Sequence, residues 1–150
     1  MEPRIKHPVA TLPGALKALQ ALSMSAENAG LSSQLRELVS LRASQVNGCS
    51  FCVLDHSTRL KNAGESDDRI FAVAAWRDAP HFTGAERAAL ALSEAVTRLS
   101  DRPDPVPDSI WQAAADNFTE SELAGLLVTI ASINVWNRLN VAVHQVAGTW

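Results

Sequence analysis

Cys49 and Cys52 are the only cysteines in the chain, and His56 follows four residues after the second, within NGCSFCVLDH from Asn47 to His56. Two thiols at this spacing serve as a redox dithiol, as part of a metal site, or as packed side chains with no chemistry. On a helix, Cys49, Cys52 and His56 fall at i, i+3 and i+7, on one face. Gly48 places Cys49 at or near the helix N-terminus. Exposed amide N–H groups there stabilise an anion and lower a thiol pKa from its reference of about 8.5. Helical side chains lean toward the N-terminus. His56 is therefore expected to lean back over Cys52, where a neutral imidazole takes the thiol proton and an imidazolium then stabilises the thiolate.

Glu37 adds a fourth group. If the helix before Asn47-Gly48 folds back along the helix after it, Glu37 lies ~16 Å before the corner and His56 ~12 Å after it. The two are nearly level. A carboxylate beside an imidazole fixes its tautomer and raises its basicity. Spacing alone equally allows a solvated glutamate at the edge of an apolar stripe. A metal fits less well. Tetrahedral zinc takes four ligands, yet Cys49 and His56 are separated by ~10 Å of helical rise. His81 or Glu37 would have to supply the fourth.

The elements that must hold these residues read as helix throughout, with no alternating strand run and no hairpin dipeptide. Residues 1–13 form an extended, proline-pinned arm, and residues 14–150 a single-domain, all-α bundle of about six to seven helices. The pattern predicts helices over Gly14–Ser25, Leu31–Val46, about Cys49–Asn62, a short one capped by Ser66, one opened by the capping box Thr83/Glu86, one over Asp108–Asp116, and a last one opened by Thr119/Glu122 and running to about Val146. That last helix is apolar nearly all round, so it must be covered on all sides. In 150 residues the simplest cover is another subunit; the alternative is a central helix wrapped by its own chain.

The totals exclude several roles. A net charge of −3 with 47% hydrophobic residues suits a globular core and gives no basic patch for nucleic acid or an anionic membrane. The first residues lack an apolar core, so no signal peptide is expected. The longest apolar stretch, Leu123 to Trp136, is broken by Thr129, Ser132 and Asn134 and is expected to be too short to span a bilayer. A cytoplasmic, reducing location follows as the default, and there a Cys-x-x-Cys pair is more often catalytic or metal-binding than a permanent bridge.

With Glu37 ahead of NGCSFC and His56 after it, the combined pattern resembles the alkylhydroperoxidase D-like branch of the carboxymuconolactone decarboxylase family. The segments ELVSLRASQVNGCSFCVLDHSTRLKNAGES, AWRDAPHFTGAERAALALSEAVT and LLVTIASINVWNRLNVA carry the same resemblance, from about Arg4 to His144. The resemblance implies an all-helical homo-oligomer, a trimer or hexamer, with thiol peroxidase or disulfide reductase activity in antioxidant defence and no metal or organic cofactor. By position, Cys52 matches the peroxide-attacking cysteine and Cys49 its resolving, more exposed partner. His56 and Glu37 match the proton relay. A hydroperoxide is the implied substrate and a dithiol, such as a lipoyl-bearing protein, the implied reductant. Phe51 departs from the better-characterised peroxidases, which carry a second histidine there. Decarboxylase members lack the dithiol.

Other residues carry weaker expectations. His7 is expected in solvent on the arm, His81 in a loop, and His144 at an interface. Trp76, Trp111 and Trp136 are expected as core or interface anchors, and second as the wall of an apolar pocket. Arg42 and Arg138 are expected to meet carboxylates inside an oligomer or to lie on the surface. A non-catalytic redox sensor with a reversible disulfide and a metal-binding structural module stand as the competing functions.

Overall fold

The computed structural model describes residues 2–149; Met1 of the expected arm and Trp150 of the expected domain lie outside the described residues. Among the described residues every regular element is helical: α1 (Pro8–Thr11), α2 (Ala15–Ser25), α3 (Ser33–Asn47), α4 (Ser50–Asn62), α5 (Asp67–Ala72) continuing into a 3-10 turn (Val73–Ala75), α6 (Gly84–Thr97), α7 (Asp108–Ala115) and α8 (Glu120–Val143). The expected elements are present, and α1 adds one to their number. Both capping boxes form, with Thr83 and Glu86 at the start of α6 and Thr119 and Glu122 at the start of α8.

The arm differs from its expectation. Pro8 opens α1, where a missing N–H costs nothing, and the His7 side chain accepts from the Val9 N–H at 3.3 Å. His7 is not solvated but only 6% exposed. Its ring stacks on Trp136, and Arg4 N donates to Val143 O at 2.9 Å. The proline-rich segment is thus docked on the C-terminal end of α8.

Helix α3 is the hub, packing against α4, α6 and α8. Leu38 and Leu41 join Leu60, Ile70, Val73, Trp76, Phe82 and Leu90. Val39 meets Leu92, Leu126 and Ile130. One turn later Ala43 meets Cys49, Cys52 and Ile133. Each fully buried aliphatic side chain contributes about 1.5–3 kcal/mol, so this one helix holds the core and places the thiols.

A buried ion cluster fastens α3 to α6. The Glu94 carboxylate accepts from Arg42 Nε at 2.6 Å and Trp76 Nε1 at 2.9 Å, and Arg77 Nη1 lies 2.7 Å away. Burial pushes this carboxyl up, but the bonds from Trp76, Arg77 and Arg42 outweigh it and hold the group below the ordinary glutamate range. Arg42 therefore finds its carboxylate within its own chain. Arg138 instead donates to Asn134 O and Oδ1, within α8. Trp76 is core, whereas Trp111 is 40% exposed.

Helix α8 resolves the question of its cover in two halves. It is long and apolar enough, by length and composition, to cross a membrane, unlike the shorter stretch expected from the sequence, and half of its most apolar window is buried inside the fold. Leu123, Leu126, Ile130 and Ile133 are buried by the chain itself. Ala124, Ala131, Val135, Arg138 and Ala142 are exposed, with Val128 half-buried between them. Helix α2 buries none of its residues, and Leu16, Leu22 and Met24 remain exposed.

Removing one partner of a buried ion pair leaves the other uncompensated. Glu94→Ala is expected to cost about 3 kcal/mol in denaturant unfolding at neutral pH. Because the folded-state pKa of Glu94 is depressed, its contribution is present above the unfolded pKa and is lost as pH falls through the folded one. The gap between wild type and Glu94→Gln should therefore narrow in acid. A cost for Glu94→Ala below about 1 kcal/mol would place the pair with ordinary surface bridges.

Candidate active site

The site is built at the corner between α3 and α4. Gly48 has φ of 67°, the left-handed conformation that ends a helix without a Cβ clash. Cys49 then caps α4 in place of a serine or aspartate: its Sγ accepts from the Cys52 N–H at 3.3 Å. Cys49 and Cys52 pack with Ala43 and Ile133 and are 2% and 3% exposed. The expectation that Cys49 is the more exposed thiol is not met, because it packs among buried side chains and lies off the cavity wall that Cys52 borders. Both are free thiols.

Three asparagines of α8 surround this corner. Asn47 Nδ2 donates to Asn134 Oδ1 at 2.9 Å and to Asn137 Oδ1 at 2.8 Å. Asn137 Nδ2 donates to Ser44 Oγ at 3.0 Å. Asn140 Nδ2 donates to Cys52 Sγ at 3.2 Å, and its Oδ1 lies 3.0 Å from His7 Nε2. Asn134, Asn137 and Asn140 recur every three residues on the buried side of an apolar helix. That three-residue spacing is their sign in the sequence, where Asn134 otherwise reads only as a break in an apolar run. His7 carried no such sign.

Glu37 and His56 meet as their depths implied, with His56 Nδ1 2.6 Å from Glu37 Oε2. An ionised carboxylate only accepts, so Nδ1 is the donor and Nε2 is left for proton exchange. Arg59 stands on the other side, 3.8 Å from Glu37 Oε1 and 3.0 Å from Asp55 Oδ2. Among the described residues no hydrogen bond joins His56 to Cys52.

Cys52, His56 and Glu37 instead line one cavity of about 710 Å³. Helix α2 closes one side with Leu16 and Met24, and Phe51, Ile133 and Trp136 supply apolar wall beside the thiol. Trp136 thus takes the pocket-wall role. Cys49 is not on the wall, and neither is His81, which is exposed before α6. His144 ends α8 in a left-handed conformation with φ of 57°. Among the described residues no three of His, Cys, Asp and Glu converge as metal ligands.

The two thiols divide their protons unequally. The hydrogen bond with Cys52 lowers the Cys49 thiol to about 7, against the opposing effect of burial, with Asn137 adding to the lowering. That same bond, burial and the charge on Cys49 push the Cys52 thiol far up, with Asn140 opposing the rise. The first negative charge therefore sits on Cys49, while Cys52 is the sulfur with access to the cavity. Transfer of the Cys52 proton to a Cys49 thiolate would leave the negative charge on the sulfur that borders the cavity.

A model of the carboxymuconolactone decarboxylase family matches residues 13–95. YdfG of Bacillus subtilis (strain 168), an uncharacterised protein, is 30% identical over 137 residues, which make up 91% of this chain and 92% of YdfG. The chain belongs to the carboxymuconolactone decarboxylase family. A crystal structure from Agrobacterium tumefaciens, of a protein of unknown function proposed as the antioxidant defence protein AhpD, is 32% identical with a TM-score of 0.91, over 99% of this chain and all of that one. The debrominase Bmp8 shares the fold at 19% identity and a TM-score of 0.82, over 93% of this chain and 74% of Bmp8. The helical architecture is thus that of the family, and the thiols of this member stand at its α3–α4 corner.

Titration of the reduced protein by ultraviolet thiolate absorbance should show one thiolate appearing as pH rises through about 7. Cys52→Ser should keep that step, since a hydroxyl can still donate to the Cys49 thiolate, and Cys49→Ser should lose it. The reverse pattern would move the first charge to Cys52.

Proposed function

We propose that the protein is a thiol-dependent peroxidase that reduces an organic hydroperoxide with its Cys49–Cys52 dithiol. The observation that carries this reading is the 2.6 Å His56–Glu37 pair on the wall of the cavity that Cys52 also lines. Nucleophile, proton carrier and orienting carboxylate thus share one apolar-walled space. The fold itself does not choose the acceptor.

The reaction has three balanced steps. The Cys52 thiolate attacks the distal peroxide oxygen, the O–O bond breaks, and Cys52 becomes a sulfenic acid while an alkoxide leaves. His56, held by Glu37 at Nδ1, takes a proton from solvent on Nε2 and passes it to the alkoxide, giving an alcohol, so the substrate lies between histidine and sulfur. The Cys49 thiol then attacks the sulfenic acid, forming the Cys49–Cys52 disulfide and releasing water. An external dithiol restores both thiols by exchange. Since only Cys52 borders the cavity, the reductant must enter through it. A thin arm such as a lipoyl group on a partner protein fits that route. Regeneration by a dithiol suits a cytoplasmic location.

Homo-oligomerisation belongs to the same proposal. Ala124, Val128, Ala131, Val135, Arg138 and Ala142 alternate at four- and three-residue steps, the spacing by which one helix packs along another. With exposed Leu16, Leu22 and Met24 on α2, the chain carries apolar surface that a second copy would cover.

Turnover of an organic hydroperoxide with dihydrolipoamide tests the chemistry. Cys52→Ser and Cys49→Ser should abolish it, and His56→Ala should lower kcat/KM by about a hundredfold. Stoichiometric disulfide formation without turnover would replace the enzyme by a redox sensor. For assembly, light scattering should find a trimer or hexamer, and Val135→Glu should shift it toward monomer; a monomeric wild type would end the oligomer proposal.

A further inference from the structure

Buried polar side chains are held by partners, and those of His7 determine what faces the thiols. His7 Nδ1 accepts the Val9 N–H at 3.3 Å, the bond that caps α1. A neutral imidazole carries one N–H, so an accepting Nδ1 leaves the proton on Nε2. Nε2 lies 3.0 Å from Asn140 Oδ1 and donates to it. The Asn140 amide is thereby oriented: with Oδ1 taken by His7, the Nδ2 end faces Cys52 and donates to Sγ at 3.2 Å. Turned over, the amide would present its carbonyl oxygen to the sulfur, an acceptor that a thiolate repels.

The docking of the N-terminal segment reinforces this arrangement. The His7 ring stacks on Trp136 with centroids 6.3 Å apart. Arg4 donates from N to Val143 O at 2.9 Å and from Nη1 to Ala142 O at 3.2 Å. The histidine lies 133 residues from its asparagine in sequence, and it is absent from the cavity wall.

We propose that His7 is a positioning residue for the Cys52 thiolate, acting through the amide of Asn140. Its catalytic consequence rests on the peroxidase reading above, whereas its effect on the sulfur does not. An N–H aimed at the sulfur stabilises negative charge as the thiolate forms, and again as Cys52 leaves from its mixed disulfide with the reductant.

The test uses Cys49→Ser protein, in which Cys52 is the sole thiol. The pH dependence of iodoacetamide alkylation then reports Cys52 ionisation without any peroxide. His7→Met fills the space without an N–H; His7→Gln retains a donor. His7→Met is expected to leave about tenfold less thiolate at a given pH, and His7→Gln to recover most of it. In Asn140→Ala protein, His7→Met is expected to have no further effect. Equal profiles for Met and Gln, or a Met effect that persists in Asn140→Ala, overturn the proposal. An arm that needs no substitution reads the His7 tautomer from imidazole nitrogen chemical shifts: a proton on Nε2 is expected, and one on Nδ1 overturns the orientation. Failure of peroxide turnover would leave these outcomes unchanged, so the two readings fall separately.

Discussion

The lock between Asn47 and α8 is the constraint on which the site depends. Asn47 gives both N–H groups of its amide to Asn134 and Asn137, at the point where α3 ends. Gly48 and Cys49 follow within two residues, so whatever fixes Asn47 fixes the thiols. A buried polar network of this kind is costly when half-satisfied and specific when complete. Here it is complete: among the described residues no buried side-chain nitrogen or oxygen lacks a partner. The apolar contacts of α3 hold the helices together, but they tolerate sliding. The asparagines set the register.

Burial and ionisation pull against one another at the dithiol. Two thiols under 4% exposed would ordinarily stay protonated. The Cys52 thiol, the first-turn N–H groups of α4 and the Asn137 amide supply donors that lower the Cys49 thiol against its burial. The lower-pKa sulfur is the hidden one, and the reachable sulfur holds the proton. With its pKa pushed up, the cavity-facing thiol holds its proton beside a Cys49 sulfur that ionises first. Phe51 and Trp136 on the cavity wall add apolar surface, which strengthens every charge interaction beside it.

Much of the fold was legible because it depends on local rules. Ser66, Thr83 and Thr119 begin helices where their side chains accept from the first turn. The Glu37–His56 pairing also followed from local counting, since two helices joined at a tight corner bring equal depths together. The departures involve partners far along the chain. His7 was expected in solvent because nothing near it signals burial; Trp136 and Asn140 cover it. Arg42 was expected at an interface or on the surface because Glu94 stands on a different helix, 52 residues on.

By itself the sequence determined the helices, their caps, the corner at Asn47-Gly48 and the set Glu37, Cys49, Cys52 and His56, because periodicity, capping and spacing act over a few residues. Only the tertiary structure decided which way each side chain turned. It joined His56 to Glu37, buried both thiols, and brought Asn140 to the Cys52 sulfur with His7 behind it. Hydrogen bonds are short and directional, so the partner of a buried polar group depends on which helices meet and in what register, and no local pattern encodes that.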